Sequence, residues 1–172
     1  MEKERVREKE PEVGQAGHYE ATLRMYQEAR EKARTGKIVI RAREQNWRQS
    51  RMGYTKHFLR WLEDGGAALE DWTCFIHHIK VHSGKHCHQG GIMLFVLDGE
   101  GYTTMDGERV DWEKGDLIVI PVKPNGVVHQ HFNKYPGREA KWMAFLYQPF
   151  FSVLGNVFEH VEDSPDYKEG RP

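Results

Sequence analysis

Three histidines, His86, His88 and His129, are the residues whose types and spacing in this chain could hold a metal ion. His86 and His88 are two residues apart, and residues two apart on a β-strand point to the same face of the sheet. Their imidazoles could therefore meet at one point, and His129, in a later segment that also reads as a strand, could supply a third. Three neutral imidazoles suit zinc, copper, iron or nickel and leave coordination positions open for chemistry.

The histidines lie in a segment, residues 54–148, whose pattern predicts many short β-strands. Short apolar runs alternate there with Gly, Pro and Asp, and the dipeptide Asp106-Gly107 between two such runs is a hairpin signal. Short strands at regular spacing favour an all-β barrel or sandwich. The predicted strands are residues 54–61, 72–81, 93–97, 101–105, 108–112, 117–120, 127–132 and 141–147.

The N-terminal residues have a different character. Residues 1–17 are rich in charge, and we predict a mobile tail there. Residues 18–35 carry apolar side chains at helical spacing, and the β-branched run at residues 37–42 predicts a strand. Residues 18–53 are therefore predicted to form a helix and strand extension of the barrel.

The barrel itself is predicted to span residues 54–150, without an internal repeat. Residues 151–172 should complete a short helix, which we place at residues 150–162, and end in a frayed tail. A single barrel has exposed sheet edges, and these commonly drive dimerisation. We therefore expect a homodimer, with residues 37–42 as a candidate for packing across it.

Size and composition argue against several classes of function. The 172 residues support one domain with extensions, and a net charge of −1 gives no sign of a nucleic acid or membrane partner. No apolar run approaches the ~20 residues of a membrane span. The N-terminal segment lacks the apolar core of a secretory signal. Since Cys74 and Cys87 give no disulfide framework, the cytoplasm is the predicted location.

Residues 80–133 resemble the two signature motifs of the cupin superfamily. The first motif is matched by His86-Cys-His88 and Gly99. The second has three extra residues before its second glycine and is matched by Gly115, Pro121, Gly126, His129 and Asn133. The resemblance implies a cupin β-barrel, a double-stranded β-helix or jelly roll, in which His86, His88 and His129 bind the metal ion.

The first motif departs from the family pattern at one ligand. The usual glutamate falls at Ile92, or at Met93 if the register slides by one residue. The resemblance therefore implies three histidines without a carboxylate, which is similar to the gentisate and hydroxynaphthoate dioxygenases and their ferrous iron. We expect one divalent ion, with Fe(II) first and Zn, Ni, Mn, Co or Cu as alternatives.

Two further departures concern the substrate. The related dioxygenases carry an arginine before the phenylalanine of the next strand, and this chain has Leu94 there, so a substrate carboxylate would lose a bidentate partner. Those enzymes also contain two barrels in one chain. Because three neutral imidazoles leave the ion its 2+ charge, we expect a small substrate with anionic oxygens that can chelate it.

Other side chains are candidates for the site. His131 follows His129 by two residues and should face the same side, so we assign it catalytic hydrogen bonding or proton transfer; an outward, hydrogen-bonded histidine is the alternative. Cys87 should point outward between the two ligands. The candidates for the substrate pocket are Gln89, His77, Tyr102 and Trp142, although Gln89 could equally stabilise a turn and Trp142 could belong to the core.

Three functions follow from these residues. The first is an Fe(II) dioxygenase that acts on a small aromatic or enolisable compound. The second is a lyase, isomerase or decarboxylase that uses the metal ion as a Lewis acid without dioxygen. The third is a binding module for small molecules without catalysis, since a fold alone does not define a reaction.

Overall fold

The structure, a computed structural model, describes residues 17–61, 63, 65–155 and 157–168. Residues 1–16 of the predicted tail lie outside this part of the chain. In chain order the helices and strands are α1 (His18–Thr35), β1 (Trp47–Ser50), β2 (Gly53–Leu59), β3 (Trp72–His78), β4 (Lys85–His88), β5 (Ile92–Asp98), β6 (Glu100–Met105), β7 (Glu108–Glu113), β8 (Leu117–Ile120), β9 (Val127–Asn133), β10 (Lys141–Tyr147), α2 (Gln148–Val153) and β11 (Phe158–Glu162).

The strands form two antiparallel sheets, which confirms the predicted all-β fold. The first sheet has six strands in the order β1-β2-β3-β10-β5-β8, and the second has five in the order β11-β4-β9-β6-β7. Because consecutive strands often lie in different sheets, the chain crosses repeatedly between them, as in a jelly roll. The sheets extend beyond the predicted barrel range of 54–150 at both ends.

The core between the sheets follows from alternation along the strands. In β5 the side chains of Ile92, Leu94 and Val96 are buried, whereas Met93 and Phe95 are exposed. Successive side chains of a strand point to opposite faces, so one face of β5 is committed to the interior. Each such apolar side chain contributes about 1.5–3 kcal/mol when fully buried, which fixes the register of the strand.

The predicted hairpin at Asp106-Gly107 is confirmed, and it joins β6 to β7. The φ angles are 52° at Asp106 and 90° at Gly107, which the two central residues of a type I′ turn require. The Asp106 carboxylate also accepts a hydrogen bond from the backbone N–H of Val128 at 2.9 Å. The turn is therefore attached to β9 next to His129.

The N-terminal extension differs from the prediction in its strand. The predicted helix is confirmed as α1, but residues 37–42 form no strand; the isolated bridge from Lys37 to Ala67 is the pairing there, and Ile38 is 90% exposed. A β-branched run needs a partner strand, and the edge of β2 is occupied by β1 instead. None of the helices in the described residues, which include a 3₁₀ helix at Ala42–Glu44, is long and apolar enough to cross a membrane.

The helix predicted at residues 150–162 is wrong over most of its length. The helix α2 ends at Val153, and Gly155 adopts φ 109°, a conformation that suits glycine and cannot continue a helix. The chain then forms β11, which pairs antiparallel with β4 and brings Phe158 opposite His88. Backbone hydrogen bonds to the edge of β4 therefore outweigh the local helical pattern.

Candidate metal centre

The three histidines of the motif lie on the neighbouring strands β4 and β9. His86 is directly opposite His129 in the register of the two strands, and His88 is two residues along from His86. The ring centroids are 4.2 Å apart for His86 and His129, and 4.5 Å apart for His88 and His129. One nitrogen from each ring lies within 4.8 Å of the other two, a cluster that could hold a metal ion.

Burial keeps these three imidazoles neutral. The pKa is lowered to about 2 for His86 and to about 3 for His88, first by loss of solvation and second by the neighbouring His129 ring. Burial also lowers the pKa of His129. A metal ion binds the neutral ring, so the three rings already have the charge that ligation needs at neutral pH.

The hydrogen bonds of the His129 ring favour metal binding through Nε2, whereas those of the His88 ring oppose it. Nδ1 of His129 donates to the carbonyl of Val127 at 3.0 Å, which leaves the Nε2 lone pair free for a metal ion. The N–H of Gly90 instead donates to Nδ1 of His88 at 3.0 Å, so neutral His88 keeps its proton at Nε2. A form with metal bound at Nε2 of His88 must therefore lose this contact with Gly90.

The cluster lies in the wall of a cavity of about 250 Å³ between the two sheets. Ile92, at the position of the usual glutamate, is one of the apolar side chains of the wall, so the three-His set lacks a carboxylate there. Among the described residues that line the cavity there is no lysine, arginine or carboxylate. The lining residues are Ser50, Met52, Thr55, His57, Phe75, His77, His86, His88, Ile92, Leu94, Ile120, His129, His131, Trp142, Ala144, Leu146, Phe151 and Phe158.

His131 faces the same cavity as His129, as the alternation along β9 predicts. Its Nδ1 lies 2.8 Å from the Thr103 hydroxyl, so the opposite edge of the ring lies toward the cavity. Burial holds the pKa of His131 well below its ordinary value. A neutral imidazole therefore stands beside the three-His cluster.

Two of the four pocket candidates line the cavity. His77 and Trp142 contact each other there with their ring centroids 4.9 Å apart. Gln89 is buried outside the lining, where its amide donates to the carbonyl of Phe151. Tyr102 does not line the cavity either, because its ring stacks on Phe132 at 4.6 Å between centroids.

The sequence analysis missed several residues of the cavity wall. His57 could have been found, because it lies on a predicted strand and alternates with Thr55, which also faces the cavity. Thr103, which contacts His131 but does not line the cavity, could not have been found, because its role depends on the strand opposite it. Phe158 was hidden by the wrong helix, and in β11 its ring lies 5.7 Å from that of His86.

Comparison with known proteins gives partial matches. Residues 75–146 match the family described as Cupin domain. A Streptomyces sp. protein named gentisate 1,2-dioxygenase is 34% identical over 83 residues, which are 48% of this chain and 22% of that protein. A Phaeosphaeria nodorum protein named acireductone dioxygenase is 35% identical over 57 residues, 30% of this chain and 31% of that protein. The chain therefore spans less than a third of either relative.

A solved structure agrees over a larger share of both chains. The Streptomyces protein PAC13, with uridine, has a TM-score of 0.52 and 13% identity, over 76% of this chain and 94% of that one. At this identity the likeness concerns the fold alone. It supports the arrangement of the two sheets as a single barrel.

Proposed function

We propose that this chain, whose residues 75–146 match the Cupin domain family, is a metal-dependent cupin enzyme, an iron(II) dioxygenase acting on a small oxygenated substrate. The observation that carries the proposal is the cluster of three neutral histidines in the wall of an apolar cavity. Two partial relatives are named dioxygenases, which supports the same class of reaction.

His86, His88 and His129 would hold the ion. An iron(II) ion bound by these three ligands supplies redox chemistry with dioxygen and keeps open positions for a substrate. The apolar wall excludes water from the reacting groups. His131 would hydrogen-bond a substrate oxygen from beside the cluster. Cys74 and Cys87 are free thiols, and a cytoplasmic, reducing location stays a prediction.

The cavity wall favours a particular kind of substrate. The 2+ charge that the neutral ligands leave on an ion attracts a pair of anionic oxygens. Away from the cluster, Leu94 and its apolar neighbours offer a carboxylate no cationic partner, and burying an unpaired charge is costly. We therefore propose a catechol-like diol or an enolisable diketone with no carboxylate arm.

Oxygen consumption tests this proposal. The iron(II)-loaded protein is expected to consume dioxygen with at least one catechol or β-diketone. It should bind such a compound at least about tenfold more tightly than the matched compound with a carboxylate, a difference of about 1.4 kcal/mol. Zinc-loaded protein is the control, since it should bind the compound without consuming dioxygen.

Other outcomes would assign the site differently. Turnover under strict anaerobiosis would replace the dioxygenase with a lyase, isomerase or decarboxylase. Binding of the compounds with no turnover under either condition would identify a small-molecule binding module.

We also propose that the protein is a homodimer, based on the outer face of the first sheet. Four apolar side chains of β5 and β8 are exposed there in two facing pairs, Met93 with Val119 and Phe95 with Leu117. β8 is also the edge strand of this sheet. An exposed apolar edge of this kind is suited to pairing with a second copy.

A Phe95→Ser, Leu117→Ser variant is expected to be monomeric at concentrations where the wild type is a dimer. Removing two facing apolar side chains takes away the centre of the patch without touching the cavity. Sedimentation equilibrium measures the mass, and Val153→Ser, at an exposed position of α2, is the control. A monomeric wild type at micromolar concentration would exclude the dimer.

A further inference from the structure

A chain of hydrogen bonds leads from the core to His131. Thr103 on β6 is directly opposite His131 on β9 in the register of the strands. The indole Nε1 of Trp112 donates to the Thr103 hydroxyl oxygen at 3.0 Å, and the same oxygen lies 2.8 Å from Nδ1 of His131. All three side chains are buried, and Thr103 is 0% exposed.

The count of donors decides the direction of these bonds. An indole N–H only donates, so the Thr103 oxygen accepts from Trp112. The hydroxyl proton of Thr103 then needs an acceptor within the protein, because the residue is 0% exposed. Among the side-chain hydrogen bonds of the described residues, the acceptor available to the Thr103 hydroxyl proton is Nδ1 of His131. Reversing that bond would leave a buried hydroxyl proton unpaired, at a cost of about 1–3 kcal/mol.

We propose that Trp112 and Thr103 are positioning residues that keep the proton of neutral His131 at Nε2, on the side of the cavity. A neutral imidazole that accepts at Nδ1 carries its proton at the other nitrogen. His131 therefore presents an N–H donor to the ligand and lacks the Nε2 lone pair that a fourth metal ligand would need.

The consequence for the site is a division of roles among its histidines. His129 donates at Nδ1 to Val127 and presents a lone pair, whereas His131, two residues along the same strand, presents a proton. The lone pair of His129 suits a cation, and the N–H of His131 suits a negatively charged oxygen next to that cation. This role for His131 toward a substrate oxygen rests on the proposed function; its protonation pattern does not.

Nitrogen NMR of the imidazole rings tests the proposal directly. The full chain, labelled with ¹⁵N and studied both metal-free and loaded with diamagnetic zinc(II), is expected to show His131 with protonated Nε2 and unprotonated Nδ1 in both forms. A His131→Gln variant identifies the signals. A proton at Nδ1, or a mixture of the two neutral forms in the wild type, would overturn the proposal.

Two substitutions test whether Thr103 acts through its hydroxyl. Thr103→Val keeps the size of the side chain but removes the donor, so His131 is expected to lose its single protonation pattern. Thr103→Ser keeps the hydroxyl, so His131 should show its single protonation pattern in this variant. If both variants kept the wild-type pattern, Thr103 would be a packing residue and the proposal would be wrong.

Trp112→Phe is a third test, which can be made even if the Thr103→Val variant does not fold. Without the indole donor, the Thr103 side chain can rotate its hydroxyl away from Nδ1 of His131, and a population with the proton at Nδ1 is expected to appear. An unchanged pattern would remove Trp112 from the proposal. Because no arm requires turnover, a protein without dioxygenase activity still gives a decisive result.

Discussion

A His86→Ala, His88→Ala double variant is expected to retain almost none of the metal ion that the wild-type protein binds. The wild type should hold about one equivalent per chain, because three histidines on β4 and β9 converge on one point. The variant leaves His129 alone, and a single imidazole cannot hold a divalent ion against the competition of water. Elemental analysis after iron(II) reconstitution and desalting measures the difference.

The control for this experiment is His78→Ala. His78 lies on β3, does not line the cavity and forms an ion pair with Glu139 when protonated. The His78→Ala variant should still bind about one equivalent of metal per chain. This result would exclude the possibility that removal of any histidine lowers the metal content. Metal retained by the double variant would place the ion elsewhere. A folded wild type that takes up no metal would leave a binding module as the function.

The three-His cluster was predictable because its geometry is mostly local. Residues two apart on a strand share a face, so His86 with His88, and His129 with His131, were fixed as pairs once β4 and β9 were strands. The same alternation explains the buried face of β5. The long-range step, which places His86 opposite His129, came from the resemblance and not from the pattern of residues.

Pairing with distant strands explains what the sequence analysis got wrong. Residues 37–42 have the composition of a strand but no edge to join, whereas residues 158–162 find the free edge of β4. Tyr102 lies on a correctly predicted strand, but its neighbours, Thr103 and Gly101, are the residues that face inward. For the two segments, local propensity was weaker than the contacts made by a remote segment, whereas for Tyr102 the alternation along β6 decides.

Gly101→Ala is expected to cost the protein about 1–3 kcal/mol of stability, because this position has no room for a side chain. Gly101 lies opposite Trp112 in the pairing of β6 with β7. A methyl group there would come within 2.2 Å of the indole ring and 2.3 Å of the carbonyl oxygen of Phe132. The backbone oxygen is held by the sheet, so the indole has to move.

The measurement is thermal unfolding of Gly101→Ala beside Gly65→Ala, where an added methyl group meets nothing within 4 Å. The melting temperature should fall by about 2–12 °C in the first variant and stay nearly unchanged in the second. Because the displaced indole donates to Thr103, the same substitution should also disturb the protonation pattern of His131. A stable Gly101→Ala variant with unchanged His131 signals would mean that the indole does not lie over Gly101. The hydrogen bonds described from Trp112 through Thr103 to His131 would then be wrong.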